Sequence, residues 1–116
     1  MLREKSLWEM LEKREVNVKR ALLIMKGDEE AYKRFLIEFF EDPDFARLGE
    51  AIGAKEAKNA FTYAHGLKGM AANLGLDRIY EKLDMLVELL RSDKLEGAQE
   101  IYDAVIKESN EIIRLF

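Results

Sequence analysis

The chain has 116 residues, with 19 Lys and Arg against 23 Asp and Glu, one His, no Cys and one Pro. A chain this short makes a single domain, residues 1–116, and has no room for a nucleotide-binding fold beside a substrate domain. With no cysteine and with His65 as the single histidine, zinc and soft transition-metal sites lack their ligands, disulfides and thiol catalysis are excluded, and only oxygen-ligand metals such as magnesium stay open.

The net charge of −4 offers no excess positive field for a phosphate backbone, so no nucleic-acid partner is expected. The longest apolar runs, such as Ala21 to Met25, fall far below membrane-spanning length, and the N-terminus lacks the apolar stretch of a secretion signal. The expectation is a cytoplasmic protein with no membrane partner.

Apolar residues recur at three-and-four spacing nearly throughout, which predicts an all-α fold. The first segment runs from about Arg3 to Lys13 with Leu7, Met10 and Leu11. A short helix after Asn17 carries Leu22 and Met25, with Gly27 as its stop. Asp28 reads as an N-cap, Glu29 and Glu30 suit the first-turn dipole, and Tyr32, Phe35, Leu36, Phe39 and Phe40 form a broad stripe. Asp42-Pro43 breaks or kinks this helix, and a continuation through Phe45, Leu48 and Ile52 ends at Gly53. The next helix is expected from about Ala54 to Leu74 with Gly75 as its stop, followed by one from Asp77 to Arg91 and one from about Leu95 through Ala98, Ile101, Val105, Ile112 and Ile113. Such stripes bury most simply as an antiparallel four-helix bundle with short N-terminal flanking helices.

Residues 64–75, AHGLKGMAANLG, break the local rules, because Gly66 and Gly69 sit inside a helical pattern. Each costs about 0.8–1 kcal/mol relative to alanine, so together they oppose the helix by roughly 2 kcal/mol. At 100° per residue, Ala60, Tyr63, Ala64, Leu67, Met70, Ala71 and Leu74 fall on one face, the core. Lys58, Phe61, His65, Lys68, Gly69 and Ala72 fall on the other. The single histidine thus points away from the bundle with a lysine at i+3 and a glycine at i+4.

A neutral imidazole nitrogen attacks electrophiles near pH 7, and a lysine one turn away balances charge on an anionic adduct. A missing side chain at Gly69 lets a partner's backbone come close. Residues 57–76 contain Lys58 and Lys68 but no carboxylate, where the chain's overall acid content predicts about 4 in such a window. A phosphoryl group, or a partner with an acidic pocket, is repelled less there. Phe61 and Ala72 offer that partner a small apolar landing surface beside Lys58. Taken singly, each residue also has a plain reading: a bystander histidine, a solvated lysine, a glycine that permits close helix packing, and a half-buried phenylalanine.

The segment resembles the signature of the histidine-containing phosphotransfer (HPt) domain family: a His followed by Leu at +2, Lys at +3, Gly at +4, a small residue at +6 and Leu-Gly at +9 and +10. Here these are His65, Leu67, Lys68, Gly69, Ala71, Leu74 and Gly75. The resemblance covers residue 17 to the C-terminus and leaves residues 1–16 as an extension. It departs from the family at Gly66, where Thr, Ser or Ala is common, and at Pro43, which interrupts a usually continuous helix.

The resemblance implies a four-helix bundle in which His65 accepts a phosphoryl group from the aspartyl phosphate of a receiver domain and passes it to another receiver. Lys68 would help hold the phosphoryl group, and Gly69 would admit the receiver. The partners implied are receiver domains of response regulators or hybrid kinases. Magnesium is expected on the receiver, and no cofactor is expected on this chain. There is no P-loop, so the expectation is a monomeric phosphoryl carrier and not an ATP-dependent kinase. The alternative is a non-catalytic helical adaptor, or a receiver-binding protein, in which His65 is incidental.

Overall fold

Helix starts and stops follow capping chemistry, and the computed structural model describes residues 4–116. Arg3, the expected first residue of the first helix, lies outside the described residues. The described elements, all helical, are α1 (Glu4–Lys13), α2 (Val18–Ile24), α3 (Glu29–Phe40), α4 (Asp44–Gly53), α5 (Ala57–Asn73), α6 (Asp77–Arg91) and α7 (Ala98–Ile113).

Asn17 caps α2 by accepting from the Arg20 N–H at 3.0 Å, and Asp28 caps α3 by accepting from the Ala31 N–H at 2.9 Å. Pro43 separates α3 from α4, as its missing donor and fixed φ require. The Asp42 carboxylate accepts from the Asp44 N–H at 2.8 Å and secures the first turn of α4.

Three expected boundaries move. α5 begins at Ala57 and not at Ala54, because residues 54–56 close the end of α4: Lys55 takes φ +59°, its N–H donates to the Ile52 carbonyl, and the Glu56 N–H donates to the Ala51 carbonyl. This is the paired 5→2 and 6→1 pattern of a Schellman turn, with Lys55, not Gly53, in the left-handed position. The same pattern puts Lys26, ahead of Gly27, in the left-handed position after α2. α7 starts at Ala98, three residues later than expected, since Gly97 at φ +88° forms its entry.

α4, α5, α6 and α7 close into a four-helix ring, each packed against the next and α7 returning to α4. The core is continuous, with Leu48, Leu67, Leu83, Leu86 and Val105 fully buried. The all-α bundle read from periodicity is therefore the observed fold.

The N-terminal helices are joined to this ring. Leu7 and Leu11 of α1 are buried, Trp8 stacks on Tyr32 at 5.4 Å between centroids, and the buried Tyr32 hydroxyl donates to the Leu74 carbonyl at 2.8 Å. Asn17 donates its N–H to the Gly75 carbonyl at 2.7 Å, and ion pairs Arg20–Asp77 and Arg78–Glu15 flank that contact.

Candidate functional site

α5 buries Ala57, Ala60, Ala64, Leu67 and Ala71, a 3-4-3-4 spacing that forms one narrow seam. Four of these five are alanines, small side chains that let neighbouring helices come close. Tyr63 and Met70, placed in the core by the winding argument, are only half-buried at the seam's edge.

His65 stands exposed in the middle of α5, together with Lys58, Thr62, Gly66, Gly69 and Asn73. The helix passes through Gly66 and Gly69 without a break. A Cβ at either glycine would meet no atom within 4 Å, so neither serves helix packing. Both open onto solvent.

On the α6 side, Phe61 is half-buried and stacks on the imidazole of His65 with centroids 5.7 Å apart. The Arg91 guanidinium lies 5.1 Å above the other partner of that stack, Phe61. Phe61 therefore packs against the histidine on one side and the Arg91 guanidinium on the other, with part of its surface left accessible. Ala72 is also half-buried, and Lys58 remains exposed.

Lys68 does not stand free beside His65. Its ammonium donates to the Asp84 carboxylate of α6 at 2.8 Å and lies 5.7 Å from the centroid of Tyr80. The hydrogen bond from Lys68 to Asp84 holds the ammonium's pKa above its ordinary value, so Lys68 is a cation at neutral pH. The absence of acids from residues 57–76 is thus a property of α5 alone, since α6 brings Asp84, with Glu88 behind it, to the same flank. Glu88 pairs with Arg91 at 3.4 Å.

Tyr80, Asp84, Glu88 and Arg91 were not singled out from sequence. They recur every three or four residues on α6, beside the buried stripe of Ile79, Leu83, Val87 and Leu90. Folding the two helices about a turn near Gly75 sets Lys68 opposite Asp84 and Phe61 opposite Arg91, an antiparallel register that would have found them.

On the opposite flank, Met70 and Asn73 border a mainly apolar depression of about 370 Å³ lined also by Met25, Phe35, Phe39 and Leu74, with the carboxylates of Glu38 and Asp42 at its edge. Phe35, expected in the buried stripe of α3, is 38% exposed there. Among the described residues, no cluster of three or more His, Cys, Asp or Glu side chains is placed to hold a metal ion, and no helix is long and apolar enough to cross a membrane.

The described residues thus form an all-helical bundle that presents His65 on an open helix face, with Lys68 one turn along α5. The model of the Hpt domain matches residues 31–114, well over half of the chain, and the chain belongs to that family. The family serves phosphotransfer in two-component signalling, and its members interact with receiver domains. Searches of curated proteins and of solved structures returned no match.

Proposed function

We propose that this chain is a phosphorelay carrier in which His65 takes a phosphoryl group from the aspartyl phosphate of one receiver domain and gives it to the aspartate of another. The observation that carries this reading is the solvent-open strip of α5, where the chain's single histidine stands beside two glycines that no packing contact requires.

The chemistry is an in-line displacement. A lone pair of the neutral imidazole forms the N–P bond as the P–O bond to the receiver's carboxylate breaks, and the carboxylate leaves with that electron pair. The second ring nitrogen keeps its proton, and return to a receiver reverses the bonds. Magnesium and the acidic pocket belong to the receiver, which supplies charge neutralisation; this chain supplies nucleophile, access and the Lys68 cation. Stacking on Phe61 limits the rotation of the imidazole, which favours a constant attack direction. The strip of Gly66 and Gly69 admits the receiver's backbone, and the apolar depression beside Met70 and Phe35 adds contact area.

The test is to mix the protein with a phosphorylated receiver domain and magnesium, then follow intact mass and acid lability. One acid-labile phosphoryl group on the wild type and none on His65→Gln, with unchanged helical circular dichroism, is the expected result. Binding without transfer from several receivers would establish an adaptor in place of a carrier.

A further inference from the structure

The Lys68 ammonium has two claimants. It lies one helical turn from His65 on α5, yet it is bound to Asp84 on α6 and rests over the ring of Tyr80. The Asp84 side chain is 45% exposed and that of Lys68 21%, so water reaches the pair from the carboxylate side and screens it enough for exchange. A phosphoryl group on His65 brings close to two negative charges and three acceptor oxygens to within a lysine's reach, against one charge on the carboxylate. Arg91, a second cation on this flank, is engaged by Phe61 and Glu88, and the exposed Lys58 lies two helical turns from His65.

We propose that Asp84 is a positioning residue that holds Lys68 on α6 in the unphosphorylated protein and surrenders it to the phosphoryl group on His65. The inference rests on the carrier reading above. Asp84 then sets how tightly the protein keeps its phosphoryl group: its carboxylate competes for Lys68 and repels the phosphoryl oxygens. A carrier that must hand its cargo on gains from such a competitor, because a lysine wholly committed to phosphohistidine would slow the onward step.

The experiment loads the full chain with phosphoramidate, a small-molecule donor that needs no receiver, and measures phosphohistidine lifetime and the equilibrium with a receiver. It compares wild type, Asp84→Asn, Asp84→Glu, Lys68→Gln and the Lys68→Gln/Asp84→Asn pair. Asp84→Asn is expected to lengthen the lifetime and shift the equilibrium toward phosphohistidine by about three- to tenfold, the range of a charge-pair change of about 0.7–1.4 kcal/mol. Asp84→Glu should restore wild-type behaviour, and the Asp84→Asn effect should vanish when Lys68 is Gln. An unchanged or shortened lifetime in Asp84→Asn, or the same lengthening without Lys68, overturns the proposal while leaving the carrier reading intact. No phosphohistidine on the wild type from phosphoramidate or a receiver overturns both.

Discussion

Gly75, at the C-terminal turn of α5, and Gly69, on the open face of the same helix, are glycines for opposite reasons. The turn that holds Gly75 occurs five times among the described residues, after α1, α2, α4, α5 and α6, each with a left-handed residue closing the helix. At four of those turns the left-handed residue is Glu15, Lys26, Lys55 or Asp93, all exposed. Only at Gly75 is the position buried, and there a Cβ would stand against the carbonyl oxygen of Asn17. Left-handed geometry alone does not demand glycine in this protein; the backbone of the N-terminal segment lying on top does. Gly66 and Gly69 have right-handed helical geometry and open space, so nothing inside the fold demands them. Internal need distinguishes the turn; the open face has none, and in the carrier reading proposed above its glycines serve the receiver's approach.

Substitutions at the two kinds of glycine should separate these demands. Gly75→Ala is expected to give the largest loss, roughly 3 kcal/mol, combining left-handed strain with displacement of Asn17, read as a lower urea midpoint. Tyr32→Phe tests the same junction: leaving the Leu74 carbonyl without its donor should cost about 1–3 kcal/mol.

Tyr32 also gives the junction a pH signature. Burial raises its phenol well above the ordinary tyrosine value. The native state therefore holds that proton more tightly than the unfolded chain. The resulting stability is complete below the ordinary value of about 10 and declines as pH rises past it toward the native value. Denaturation series between pH 9 and 11 should show this decline in the wild type and less of it in Tyr32→Phe.

On the open face the sign reverses. Gly69→Ala and Gly66→Ala should each stabilise the protein by up to about 0.8–1 kcal/mol, through helix propensity alone. Gly69→Gln should keep much of that gain while lowering receiver affinity several-fold in a titration. Unchanged affinity would remove the steric reason for the glycine. The smallest stability effects belong to His65→Gln and Asp84→Asn, within about 0.5 kcal/mol by denaturant midpoint, because both side chains lie on the outer face. Loss of folding in His65→Gln would place the imidazole among the structural residues and end its reading as a carrier.

Much of this site was legible along the chain because a helix turns local spacing into geometry. Residues 57–74 wind to one alanine-lined seam and one open face, and that alone sets His65, Lys68 and Gly69 on the outside. The caps at Asn17 and Asp28 and the break at Pro43 were equally readable, since each acts within four residues of itself. The Phe61–His65 stack is an i,i+4 contact within α5 and local in the same way; what spacing did not show was how exposed Phe35 is, or that Arg91 lies over Phe61, since both depend on neighbouring helices.

The amino-acid sequence by itself determined that this protein is helical, which face of α5 is outward, and that its single imidazole stands on that face, because helix periodicity is a local property. Tertiary structure alone decided that Lys68 rests on Asp84, that Arg91 caps Phe61, and that Gly75 lies beneath Asn17. Those contacts join residues 16 to 58 positions apart, and their energies depend on helix register and close approach, which arise only when the bundle packs.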